Sequence, residues 1–289
     1  MELDNAPLSS QVEDRRGMKT TGGLIAGGGG ILVLILGLIF GIDTTKLGFG
    51  GGVEKGGGSG LPPADGYKQF VEKVVGTLET VWTKQFTDPR NGYRMQYELP
   101  KLVLFSDGVN TGCGFASSNV GPFYCPADET MYLDPTFFEE LEKKLGGSAA
   151  EFSQAYVIAH ENGHHVQNLL GFSKRVGRKD NQGSVRLELQ ADYLAGIWAH
   201  YGQKQFKFIQ PGDIEKAIIT ARAIGDDRLQ QRATGHVNPK EFTHGTARQR
   251  IAAFTAGYRS GDATITRLNM FFEVPMNSRT GELDDSVFR

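Results

Sequence analysis

Cysteine and net charge are what this 289-residue sequence has least of. Cys113 and Cys125 are its only cysteines, so the fold cannot rest on a web of crosslinks. It does not need one, because 39% hydrophobic content over this length can bury one sizeable core or two small ones. Charge nearly cancels: 31 basic and 33 acidic residues leave a net charge of -2, and the basic residues are scattered instead of gathered into a stripe. That excludes nucleic acid as a partner. There is no internal repeat.

One long uncharged apolar run is present, LIAGGGGILVLILGLIFGI from Leu24 to Ile42. As a helix rising about 1.5 Å per residue it just crosses a hydrocarbon core of about 30 Å, so it reads as a single transmembrane helix. A cleaved signal peptide is the alternative, but GIDTTKLGFGGG follows without a small-x-small cleavage site. Gly27 to Gly30 would weaken a helix in water and are common in membrane spans. Arg15, Arg16 and Lys19 precede the run and Lys46 and Lys55 follow it, a small bias toward a cytoplasmic N-terminus. On this reading residues 1–20 are a disordered cytoplasmic tail and residues 24–42 the membrane anchor. Glycine-rich residues 43–64 are a flexible linker, and residues 65–289 form the folded domain.

Cys113 and Cys125, flanked by Gly114, Gly121 and Pro122, suit a disulfide that clamps a hairpin in an oxidising compartment. Two unlinked buried thiols are the alternative. With the anchor, the disulfide places the domain outside the cytoplasm, in the periplasm or at the cell surface.

Within residues 67–86, Phe70, Val71, Val74, Val75, Leu78, Val81 and Trp82 recur at helical spacing and form one buried face. LVLF (102–105), FYC (123–125) and MYLD (131–134) predict short strands of a small mixed or antiparallel sheet. After Asp134-Pro135 the pattern predicts helices over 136–145, 148–170, 184–201, 211–231 and 248–258. Strands first and helices second imply an α+β domain with a mostly helical C-terminal part. Ser148 and Glu151 have the spacing of a capping box, and Gly171 marks the end of that helix.

On the 148–170 helix lies His160-Glu161-Asn162-Gly163-His164. The i, i+4 spacing brings both imidazoles to one face, where they can share a Zn²⁺ ion, and Glu161 flanks that face. A histidine-rich surface helix is the plainer reading. The surrounding AYVIAHENGHHVQNLLG is apolar, however, and burying these groups without partners would cost several kcal/mol, on the order of 2–7 for each. The next helix carries Glu188-Leu189-Gln190-Ala191-Asp192. Glu188 is the third candidate ligand, and Asp192, one turn on, is placed to accept the outward N–H of a ligating histidine. A solvated acidic face is the alternative, against which stand Leu187, Leu189, Ala191, Leu194, Ala195 and Trp198.

HENGHH followed by ELQAD resembles the bacterial family of neutral zinc metallopeptidases, of the gluzincin type of zincin. VEDRRG (12–17), CGFASSNVGPFYCPAD (113–128), YLD (132–134) and FTHGTARQR (242–250) are similar to that family as well, so the likeness covers most of the chain. The resemblance implies a zincin-like fold and peptide-bond hydrolysis, with a protein or peptide as substrate. Zinc at such a site would lower the pKa of a water far down, toward about 7, letting Glu161 act as catalytic base near neutral pH.

His244, beside Gly245, Arg248 and Arg250, is a candidate to donate to the oxyanion; a core or surface histidine is the alternative. His165 points round the helix and reads as structural, while His200 and His236 carry no motif. Gly163 suggests a close packing point, and FYC a candidate sheet edge for a peptide, with an ordinary hairpin favoured. Two other functions compete: a zinc-holding envelope scaffold or regulator without peptidase activity, and a membrane-tethered binding module without metal. Glu161 speaks against the first, since a structural zinc site has four protein ligands and no base.

Overall fold

The apolar stripe of the first predicted helix is buried as its spacing requires. Helix α1, Ala64–Thr87, turns Val71, Val74, Val75, Leu78, Val81 and Trp82 into the core, each at most 1% exposed. The structure, a computed structural model, describes residues 1–18, 64–177, 179–277 and 279–289.

A four-stranded sheet runs in the order β1-β2-β6-β5, with β1 Val12–Asp14, β2 Lys101–Leu104, β5 Phe123–Cys125 and β6 Thr130–Leu133. The pairs β1–β2 and β2–β6 are parallel and β5–β6 is antiparallel, so the sheet is mixed. Pleating splits the strand residues between two faces. Leu102, Leu104, Tyr124, Met131 and Leu133 join the main core under the helices. Val103, Phe105, Phe123, Cys125 and Tyr132 form a second cluster with Val109 and Ala116 of a separate hairpin. That hairpin is β3, Gly108–Thr111, paired antiparallel with β4, Gly114–Ser117. Burial on both faces explains why LVLF is an unbroken apolar run. A Cys113–Cys125 disulfide ties the hairpin turn to β5.

The helical half comprises α2 Thr136–Leu145, α3 Glu151–Leu169, α4 Asn181–Phe206, α5 Asp213–Ala223, α6 Asp226–Thr234, α7 Ala247–Ser260 and α8 Ile265–Glu273. A small antiparallel pair, β7 Met276–Asn277 and β8 Glu282–Leu283, follows. Helices α4 and α7 cross backbone to backbone. A methyl group on Gly196 would lie 2.2 Å from the Phe254 carbonyl oxygen, and one on Gly257 would lie 2.0 Å from that of Tyr193.

Several expectations need correction. Residues 1–18 are not a disordered tail: Leu3, Ser9 and Val12 are buried, and Val12–Asp14 forms an edge strand of the sheet. A three-residue strand is too short to show an alternating pattern, which is why it escaped the sequence reading. The helix expected over 211–231 is two, broken at Ile224-Gly225, where a Gly225 methyl would meet the Ala247 backbone nitrogen at 2.4 Å. The capping box does not form: α3 starts at Glu151, and the Ser148 hydroxyl accepts from the Ala150 N–H instead. No helix among the described residues is long and apolar enough to cross a membrane. The span expected over 24–42 and most of the linker over 43–64 lie outside the described residues.

Candidate metal centre

Helix α3, which carries His160 and His164, is placed by its neighbour. Gly163 of α3 faces Ala191 of α4, and an added methyl would come within 3.0 Å of the Ala191 carbonyl oxygen. That close approach sets the His160 and His164 face of α3 against the Glu188 and Asp192 face of α4. One donor atom each from His160, His164 and Glu188 lies within 4.8 Å of the others. His160 Nε2 is 3.1 Å from Glu188 Oε2, and His164 Nε2 is 3.4 Å from Glu188 Oε1.

The other ring nitrogen of each histidine is already engaged. His160 Nδ1 lies 2.8 Å from Asp192 Oδ1, and His164 Nδ1 lies 2.9 Å from Gln167 Oε1. Both acceptors take an N–H, which turns each Nε2 toward the shared point. Gln167 is itself fixed, its amide donating to the Leu187 carbonyl and to Gln190 Oε1. Asp192 is fully buried and gripped by Arg250, with Nε 2.8 Å from Oδ2 and Nη2 3.0 Å from Oδ1, and it accepts from the Tyr156 hydroxyl at 2.5 Å.

These contacts set the charges. Burial pushes the Asp192 carboxyl up, but Arg250 and then His160 outweigh it and hold the pKa at about 2. Burial pulls His160 down, while Asp192 and Glu188 together raise it to about 10. Glu188 is held well below the usual carboxylate range despite burial, by His244, His164 and His160. Burial raises Glu161, and its Oε2 is buried with no hydrogen-bond partner. A polar atom left unpaired in such a place carries a desolvation cost that a bound water or cation would relieve. Two imidazoles, one carboxylate and an open side toward a cleft match the donor set of a catalytic zinc site, so these residues fit that ion.

His244 reaches the same place from the loop before α7. Its Nε2 is 4.0 Å from Glu188 Oε2, and its Nδ1 is 3.3 Å from Asp226 Oδ1. Asp226 Oδ2 also accepts the backbone N–H groups of Thr243, His244 and Gly245, which pins the loop. The cleft beside the metal residues is walled by Val120, Pro122, Phe137, Val157, Ile224 and Leu229. Strand β5 is a sheet edge by order, and the Gly121-Pro122 that leads into it lines the cleft.

His165 faces away from the cluster: its Nδ1 is 3.0 Å from the Tyr124 hydroxyl on β5 and its Nε2 is 2.7 Å from the Glu98 carbonyl oxygen. It fastens the edge strand to the metal helix. His200 holds the Tyr258 carbonyl, and His236 lies in an exposed loop. The sequence reading missed Tyr156, Gln167, Asp226 and Arg250. The first two were within reach, at four residues before His160 and three after His164 on one helix face. Asp226 comes from a distant segment and carried no signal, while Arg250 stood out only as a basic residue in the FTHGTARQR stretch, with nothing to tie it to Asp192.

The family described as "Putative neutral zinc metallopeptidase" matches residues 1–269. The uncharacterized protein YpfJ of Escherichia coli K12 is 43% identical over 274 residues, covering 88% of this chain and 93% of its own. The uncharacterized protein Mb2605 of Mycobacterium bovis is 50% identical over 181 residues, covering 58% of this chain and 62% of its own. No solved structure matches.

Proposed function

The chain belongs to this zinc metallopeptidase family, and from that premise we propose that it hydrolyses peptide bonds in a protein or peptide substrate, with Glu161 as catalytic base. The observation that carries the proposal is the position of Glu161. Its carboxylate is buried beside His160, His164 and Glu188 and has an oxygen with no partner in the protein. A site kept only for folding has no use for such a group.

His160, His164 and Glu188 would hold the zinc ion, which when bound supplies Lewis acidity toward a water and a substrate carbonyl. Glu161 takes the proton of the attacking water and returns it to the leaving amine. Its raised pKa suits both halves of that exchange better than an exposed carboxylate would. Asp192 and Gln167 fix the ring orientations of the two histidines, and Arg250 and Tyr156 fix Asp192. His244, oriented by Asp226, is set to donate a hydrogen bond to the oxygen that gains charge. The edge of β5 beyond Gly121-Pro122 offers a backbone against which an extended peptide can lie. The disulfide supports an extracytoplasmic domain.

The test is metal analysis joined to a peptide-library cleavage assay on the full chain and its Glu161→Gln variant. Bound zinc with cleavage that the variant lacks supports the reading. Zinc without cleavage in the unaltered chain would replace it with the scaffold.

A further inference from the structure

Strand β1 precedes the apolar run in the chain, whereas its partner β2 follows it, and the two pair in one sheet. Val12 stands opposite Leu102, Glu13 opposite Val103 and Asp14 opposite Leu104. The Leu102 N–H donates to the Gln11 carbonyl at 3.0 Å, and the Arg15 N–H donates to that of Leu104 at 2.8 Å. From these contacts we propose that residues 1–18 and the metal centre lie on the same side of any membrane the chain meets, as one folding unit interrupted by residues 19–63.

The pairing is not a single contact. The Glu2 N–H donates to the Phe208 carbonyl at 2.8 Å and the Ser9 N–H to that of Glu72 at 3.0 Å, while the Ser9 hydroxyl donates to Glu79. Leu3 and Val12 are buried in the same core as the metal helix residues Tyr156 and Val157. Pro7 crosses α1 at Gly76, so closely that a methyl there would fall 2.1 Å from the Pro7 carbonyl oxygen. The Arg16 guanidinium sits over the Tyr67 ring, 5.5 Å from its centroid, and joins the exit of the strand to α1. Backbone pairing and burial of this kind require both partners in one compartment.

A single membrane crossing anywhere between Gly17 and Ala64 would put β1 and β2 on opposite faces of the bilayer. Both ends of the interruption therefore belong on the face where the metal centre stands, and a cytoplasmic tail joined to an extracytoplasmic domain is incompatible with this sheet.

Thiol labelling of the full chain tests this. Leu8 and Ile219 are exposed, at 58% and 41%, and Cys113 and Cys125 are bonded to each other and so do not compete. Leu8→Cys and Ile219→Cys chains are treated with a membrane-impermeant maleimide in intact spheroplasts and again after lysis. The expected result is one pattern for both positions, either labelled in intact spheroplasts or only after lysis. Opposite patterns would overturn the proposal. As a second measurement, a protease site is inserted between Lys46 and Lys55 and cut in detergent. The N-terminal fragment should stay with the domain and be released by Gly76→Val, which fills the space of Pro7. Separation from the domain in the chain with Gly76 intact would overturn the proposal as well.

Discussion

Arg250 grips both carboxylate oxygens of Asp192, 2.8 Å from Oδ2 and 3.0 Å from Oδ1, where neither residue meets solvent. Oδ1 also receives His160 Nδ1, so a guanidinium on α7 sets the direction of an imidazole on α3 through a carboxylate on α4. Removing one partner of such a buried pair leaves a charge with no compensation, which costs about 3–5 kcal/mol. The candidate metal residues are therefore aimed by the packing of three helices, and the consequences can be measured.

Asp192→Asn and Gln167→Leu should each lower zinc affinity by about 10- to 100-fold, because each loosens the orientation of one histidine. Competition with a fluorescent chelator measures this. Unchanged affinity in both variants would show that the outer hydrogen bonds do not orient the ligands.

Glu161→Gln should keep zinc at full stoichiometry while kcat falls by about 100-fold or more, since the amide cannot take a proton. Normal turnover by the variant, measured with zinc content confirmed, would remove Glu161 from the base role.

Zinc binding near neutral pH should release protons. Asp192 and Glu188 hold the His160 pKa at about 10 against the effect of burial, so a proton occupies that ring until a cation displaces it. Calorimetric titration in buffers of different ionisation enthalpy reads the number released, and affinity should climb as pH rises from 6 toward 9. A pH-independent affinity with no proton release would contradict this account.

His165 should make the fold sensitive to acid. Burial lowers its pKa from 6.5 to about 4, so below 6.5 the unfolded chain binds a proton that the folded chain refuses. Stability is fully present above 6.5 and is lost as pH falls through about 4, by up to about 3 kcal/mol. Urea unfolding between pH 4 and 7 should show a flatter pH slope for His165→Asn, even if that variant is less stable throughout. An identical slope would assign the acid sensitivity elsewhere.

The cleft should favour uncharged apolar side chains next to the scissile bond, because Arg250 is held by Asp192 and the wall away from Glu161, His244 and the three candidate ligands is aliphatic and aromatic. Phe137→Glu should shift library cleavage toward basic residues while leaving zinc content unchanged. The same cleavage profile in both proteins would place the substrate side chain outside this cleft.

Helix α1 and most of the helices after Asp134 were legible in the sequence because each buries one face at helical spacing, as with Val71, Val74, Leu78 and Trp82 of α1. The same holds for His160, His164 and Glu188, whose types and spacings are local properties of two helices. Helix α8 passed unremarked, and the single helix expected over 211–231 hid a break that only its packing against Ala247 explains.

By itself, then, the sequence determined which residues could share a metal ion, because a helix fixes the geometry of residues four apart. What only the tertiary structure decided is how that trio is aimed and where the chain's first residues belong. Arg250 meets Asp192 because Gly196 and Gly257 let two helices touch backbone to backbone. Val12 meets Leu102 across a long stretch of intervening chain because a parallel strand finds its partner through packing, and no local pattern records that partner.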